Sequence, residues 1–281
     1  MSVRKIAVIT SRTLWLAFTV QVVAQFIVEL PYDKWLGWLP ALGAIAIDIA
    51  LGRSAARAAA TGAAPEPVET DCPVTGRWSA LNSPADKVPS HGTHLYGQTY
   101  AIDITAESDP DSEESPRPGF AWIWPVARRS QDFPAFGAPL LAVADATVVR
   151  ATDRQRDHLS RNSLPALIYM LLVEGFVRLL GGAHRVVGNH LVLDLGDCTY
   201  AMYAHLRRGS LVVREGDRVR AGQLLAECGN SGNSSEPHVH FQLMDGPDLS
   251  VARGIPFTWR GIGVPGNGET FYSAVPQNAS H

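Results

Sequence analysis

Hydrophobic and polar positions divide this chain into parts with different periodicities. Two apolar runs come first, Leu14 to Leu30 and Trp35 to Leu51, each 17 residues long and joined by Pro31-Tyr-Asp-Lys34. Roughly 20 apolar residues in a helix cross a bilayer core, so residues 1–52 are expected to form one or two hydrophobic membrane segments. Glu29 and Asp48 leave a buried helical hairpin as the alternative. The stretch is too long and too continuous for a cleaved leader. From Arg53 the large apolar residues drop out and prolines enter, so residues 53–79 read as a linker.

Beyond residue 80 the period changes to two. Tyr100, Ile102 and Ile104 alternate with Ala101 and Asp103, which predicts a strand burying the first set and presenting the carboxylate on its other face. Gly188 to Leu195 alternates in the same way, and Thr199 to His205 should pair with it across Gly196-Asp197. Val212 to Leu225 reads as a hairpin. Leu164 to Gly182 breaks the pattern: it is apolar, with only Glu174 and Arg178 charged. It predicts a helix, either lying on a bilayer surface or packed on the sheet. The resulting layout is a β domain over 80–262, interrupted by a helical insertion at about 154–187, with a tail over 263–281. Asp109 to Gly119 is acidic and broken by prolines, so it reads as a solvated loop.

Composition changes this picture little. Twenty-five glycines and 19 prolines suit a turn-rich β body, and the net charge of -3 offers nothing to nucleic acid. Three cysteines, Cys72, Cys198 and Cys228, cannot all pair internally. Cys198 and Cys228 could form a bridge, or all three could be small buried residues.

Candidate chemistry concentrates at Glu236-Pro-His238-Val-His240-Phe-Gln242, directly after the turn-rich stretch Gly229 to Pro237. On a strand, His238 and His240 share one face. Two adjacent imidazoles make either a metal site or an acid/base site. A third histidine lies in Tyr203-Ala-His205-Leu206, and Ser90-His91-Gly-Thr-His94 precedes the strand that carries Asp103. The Val212–Leu225 motif is shared with lipoyl and biotinyl carriers, which need a lysine at a turn tip. No lysine follows Lys87, which argues against a carrier.

Tyr-Ala-His-Leu, the Val-x-x-Gly-Asp-x-Val-x-x-Gly-Gln segment, Gly-Asn-Ser-Gly and Pro-His-Val-His-Phe-Gln, in this order, resemble the lysostaphin-type (LytM-like) zinc metallopeptidases. The resemblance spans roughly His91 to Leu243 and is strongest from Gly188 onward. Within it, Gly137 to Val149 resembles the family's paired strands around a Gly/Asp turn. It implies an all-β catalytic domain, an antiparallel sheet with a groove, that uses Zn2+ to hydrolyse peptide bonds of peptidoglycan stems or cross-bridges. Carried over by residue, the metal ligands would be His94, Asp103 and His240, and the catalytic residues His205 and His238. Three protein ligands with water in the fourth position is the catalytic zinc pattern. The commoner family spacing puts the first histidine four residues before the aspartate, whereas His94 precedes Asp103 by nine. A longer loop favours His94, with His91 as its rival. Other readings are a silent relative that binds the wall or activates an amidase, and a membrane scaffold holding a structural metal.

Such an enzyme works outside the membrane. Arg4, Lys5 and Arg12 before the first apolar run, with Arg53 and Arg57 after the second, would instead place both ends in the cytoplasm. A single spanning run reconciles the two, as would an overridden charge bias or a different substrate.

Overall fold

The computed structural model describes residues 3–29, 33–61, 66–108 and 116–274. Part of the Pro31–Lys34 turn, residues 62–65 of the expected linker, most of the acidic run (109–115) and the end of the tail (275–281) lie outside the described residues. The chain forms two compact units, Met1–Ala64 and Pro65–His281.

The first unit pairs α1 (Val3–Ala24) with α2 (Leu39–Thr61). Within them, Ile6–Ala24 and Trp35–Ser54 are long and apolar enough to cross a membrane. Ala41 and Ala44 are buried, and Asp48 accepts hydrogen bonds from Ser11 Oγ (2.6 Å) and Trp15 Nε1 (3.1 Å). This carboxylate is thereby satisfied within the unit, as a low-dielectric setting demands.

The second unit is mostly antiparallel β. In chain order its elements are β1 (Val68–Thr70), β2 (Gly76–Leu81), β3 (Ile102–Ala106), β4 (Pro139–Leu141) and β5 (Ala146–Thr152). A helical insertion follows: α3 (Leu164–Tyr169), one π turn over Met170–Glu174, α4 (Gly175–Gly181) and α5 (Ala183–Val187). Then come β6 (His190–Gly196), β7 (Thr199–Ala204), β8 (Arg218–Val219), β9 (Leu224–Glu227), β10 (Val239–Met244), β11 (Gly254–Ile255), β12 (Phe257–Trp259) and β13 (Thr270–Ser273). The main sheet runs β13-β2-β3-β10-β7-β6-β5-β8, with β11 on β10, while β4–β9 and β1–β12 form small separate pairs.

Strand alternation sorts the two faces of the main sheet. Ile102 and Ile104 of β3, Leu191 and Leu193 of β6, Tyr203 of β7 and Phe241 of β10 enter one buried cluster with Trp78 and Trp259. Tyr203 Oη accepts from Val143 N (3.0 Å) and donates to Leu141 O (2.9 Å), fastening the β4 segment over this core. On the opposite face a smaller cluster covers one end: Ala183 and Val187 of α5 pack with Val192, Met202, Ala204 and Met244. The rest of that face carries the polar residues of the site.

Several expected boundaries move. Strands begin inside the span read as linker, because Val68–Thr70 pairs with Phe257–Trp259 and Gly76–Leu81 with β3 and β13. Residues 263–281 likewise contain β13, whose Phe271 is buried against the core. The β6–β7 hairpin forms as expected, with Asp197 and Cys198 in left-handed conformations at its turn (φ 48° and 57°). The segment 137–149 does not close on itself, since β4 pairs with β9 and β5 with β6 and β8, and 212–225 is joined at its ends by Val212 N to Leu225 O (3.0 Å) while its strands pair elsewhere. Local alternation shows that a strand forms but not its partner, which nonlocal packing selects. Cys198 is exposed, Cys72 and Cys228 are buried, and all three are free, so the Cys198–Cys228 bridge is not made.

Candidate active site

β10 lies between β3 and β7, with His240 opposite both Asp103 and Ala204. Because Phe241 and Val239 point into the core, His238, His240 and Gln242 must point to the other face, where Asp103 also emerges. His205 follows the last residue of β7 and turns left-handed (φ 61°), an uncommon backbone state outside glycine. Its own N–H is bonded to Val187 O (3.1 Å), and its carbonyl accepts from Gly229 N (3.0 Å), which hold that turn.

Asp103 is the hub. Its Oδ2 lies 3.0 Å from His91 Nε2 and accepts from Asn82 Nδ2 at 2.8 Å. Its Oδ1 lies 2.9 Å from His240 Nδ1 and 3.5 Å from His238 Nε2. The His205 ring centroid is 4.8 Å from that of His238 and 5.8 Å from that of His240. Asp103, His205, His238 and His240 are buried, while His91 is partly exposed.

Hydrogen bonds on the outer side of each ring set its tautomer. Gln242 donates its amide to Tyr96 O (2.8 Å), leaving its Oε1 to accept from His240 Nε2 (2.9 Å). Ser90 Oγ donates to Gln98 O (3.3 Å) and so accepts from His91 Nδ1 (3.0 Å). His238 Nδ1 donates to Glu236 O and His205 Nδ1 to Ser231 O, each at 2.8 Å. In their neutral forms His91 and His240 therefore turn lone pairs toward the same carboxylate, while His205 and His238 keep Nε2 on the inner side, where it can give or take a proton. Lone pairs facing an anion repel unless a cation stands between them, so the donor set suits a metal ion. One nitrogen each from His91 and His240 and an oxygen of Asp103 lie within 4.8 Å of one another.

The surroundings separate the charge states. Burial alone would raise the Asp103 pKa, yet the positive charge that His91 and His238 carry when protonated, with the hydrogen bonds that protonated His238 and His240 donate, holds it well below the usual carboxylate range. Burial and the neighbouring imidazoles His238 and His240 push His205 well down, favouring its neutral form. Burial also disfavours a charge on His238, but Asp103 more than reverses this and raises its pKa.

Of the expected residues, Asp103, His205, His238 and His240 converge. His94 does not join the group that could hold a metal ion: its Nδ1 bonds Thr99 Oγ1 at 3.1 Å, and His91 stands beside Asp103 and His240 in the place expected for His94. The reason lies in the loop. Ser90 N bonds Thr99 O (3.2 Å), so the chain doubles back and sets residue 91 beside the start of β3. The intervening turn is kinked by left-handed Tyr96 and Gly97, which carries residue 94 elsewhere. His190, at the start of β6, bonds Gly188 O through Nδ1 (2.9 Å), is buried, and stands outside this group. Asn82 and Gln242 were not foreseen. Gln242 shares a strand face with His240 two residues away and could have been read from alternation, whereas Asn82 carried only the signal of a turn residue.

An antiparallel sheet thus gathers four imidazoles around one carboxylate on its polar face, the arrangement that the resemblance to lysostaphin-type peptidases implies. Residues 172–250 match the model of peptidase family M23. Among curated proteins, the chain is 29% identical over 82 residues to the peptidoglycan DD-endopeptidase ShyA of Vibrio cholerae serotype O1, covering 29% of this chain and 17% of that one. It is 41% identical over 58 residues to the glycyl-glycine endopeptidase ALE-1 of Staphylococcus capitis, covering 20% and 16%. The matches thus span less than a fifth of the length of these relatives. Similar solved structures include the catalytic domain of lysostaphin from Staphylococcus simulans (20% identity, 50% of this chain and 86% of that one, TM-score 0.28). A zinc-containing peptidase from Vibrio cholerae is another (17% identity, 55% and 48%, TM-score 0.27).

Proposed function

We propose that this protein is a zinc-dependent endopeptidase that cleaves peptide bonds in peptidoglycan stems or cross-bridges. The observation that carries this reading is that His91 and His240 turn imidazole lone pairs toward the two oxygens of Asp103. His91, Asp103 and His240 would hold the ion, and the names of the curated relatives point to wall peptides as the substrate class.

When bound, the ion polarises the scissile carbonyl and makes water more acidic. The remaining chemistry belongs to the chain. His205, kept neutral by burial and donating Nδ1–H to Ser231 O, presents a basic Nε2 that can take a proton from the attacking water. His238, drawn toward its charged form by Asp103, can donate through Nε2 to the carbonyl oxygen as negative charge develops there. Gln242 and Ser90 fix the rings of His240 and His91 by accepting their outer N–H groups, the supporting role common around metal-binding histidines. We further propose that α1 and α2 anchor the chain in a membrane with the β unit on the extracytoplasmic side, where its substrate lies.

The deciding experiment measures zinc per chain together with release of soluble fragments from purified peptidoglycan, for the full-length protein and for His240→Ala. The expected result is about one zinc per chain and fragment release, with both lost in the variant. Full wall hydrolysis by His240→Ala would end the proposal.

A further inference from the structure

The helical stretch 164–181 of the insertion keeps its two charged residues from water while several of its apolar residues face it. Its charged residues turn inward: Glu174 accepts from Arg161 Nε (3.0 Å) and Nη2 (2.7 Å), and Arg178 Nη2 lies 3.5 Å from Glu174. Arg178 Nη1 also reaches Asn233 of the turn-rich stretch before β10 (3.3 Å). These three charged side chains retain only 13–17% exposure. Meanwhile Ile168, Leu171 and Val177 of the same helix face outward and are exposed. A helix packed on a soluble domain shows the reverse arrangement.

A second exposed apolar segment abuts it. In Phe120-Ala-Trp-Ile-Trp-Pro-Val126, Trp122, Ile123 and Trp124 are 74%, 75% and 81% exposed. This segment is tied to the start of the helix: Leu164 N bonds Ala121 O (3.0 Å) and Ser163 Oγ bonds Val126 O (2.5 Å). Loop and helix therefore present adjoining apolar surfaces, and contiguous exposed apolar surface ordinarily marks an interaction face.

We propose that this surface docks on a lipid bilayer, the loop tip and the outer helix face entering the headgroup boundary. Three features select lipid as the occupant. The same chain carries two helices of membrane-crossing length, so a bilayer is an apolar phase available to this chain. Trp122, Trp124 and Tyr169 each join a large apolar ring to one polar atom, the character enriched at membrane interfaces. Arg128 and Arg129 follow the loop directly, where anionic headgroups would meet them. The inference rests on the proposed membrane anchorage and deepens it: the β unit is itself a membrane-surface element, which confines cleavage to wall peptides close to the bilayer.

The test reconstitutes the full chain in phosphatidylethanolamine–phosphatidylglycerol vesicles that contain a diazirine-bearing phospholipid, and maps lipid adducts by peptide mass after photolysis. Val212 and Tyr272, exposed apolar residues elsewhere on the β unit, give the reference yield. Adducts in 120–126 and 164–177 are expected at about five-fold or more over that reference, as for an interfacial helix, and at the reference level in the Ile123→Asp, Trp124→Asp double variant. Reference-level labelling of both segments alongside strong labelling of α1 and α2 overturns this inference alone, whether water or a second copy covers the face. Absence of adducts in α1 and α2 overturns the anchorage reading, and this inference with it.

Discussion

Asp103 and His240 stand in register on adjacent antiparallel strands, with Oδ1 and Nδ1 2.9 Å apart. Two residues 137 positions apart in the chain are thus held together by the backbone ladder between β3 and β10. The side chains need little conformational freedom removed to meet a metal ion, since the strands have already placed them.

Gln242 should matter for metal affinity although it is not a ligand. Its carbonyl oxygen fixes the ring of His240, and its amide is held by Tyr96 O. Gln242→Ala is expected to weaken zinc binding by about 10–100-fold, the usual effect of losing such a support. Competition with a fluorescent chelator measures this, and an unchanged affinity would show that β10 alone orients the ring.

The two candidate first ligands make opposite predictions. His91→Ala should abolish stoichiometric zinc, since His91 Nε2 sits 3.0 Å from Asp103. His94→Ala should keep the metal, because that ring bonds Thr99 instead. Elemental analysis of the two purified variants separates them, and the reverse pattern would return the site to the spacing-based expectation.

His205→Ala should retain zinc and slow turnover on peptidoglycan by about 10²–10⁴-fold, the range for loss of a positioned acid/base group. The same substitution should leave the thermal shift on zinc addition in place. Loss of metal together with activity would make His205 a ligand rather than a proton acceptor.

His190 supplies a pH test of stability away from the metal site. Burial lowers its pKa in the folded state from the ordinary 6.5. The unfolded chain then binds more protons just below pH 6.5, so this contribution is complete above that pH and is lost as the pH falls toward the folded-state value. The slope from this one group is at most about 1.4 kcal/mol per pH unit. Denaturant unfolding between pH 7.5 and 5.5 should show a shallower loss for His190→Gln than for the parent, and equal slopes would refute the assignment.

Period and motif carried much of the molecule on their own. Two apolar runs of membrane-crossing length, the β6–β7 hairpin with its Gly-Asp turn and the shared face of His238 and His240 are local properties, set by side-chain alternation and turn chemistry within a few residues. Asp103 could be chosen because Ile102 and Ile104 demanded the core, leaving the carboxylate one outlet. Tertiary structure decided what depends on closure of the chain over distance. A backbone bond from Ser90 to Thr99, and not the spacing to Asp103, put His91 rather than His94 beside the carboxylate. Pairing with β12 and β13 turned an apparent linker into strands, and the Arg161–Glu174–Arg178 contacts turned the apolar side of the insertion outward. A sequence states which face of each element is apolar; which neighbour that face meets is settled only when the elements compete for one another.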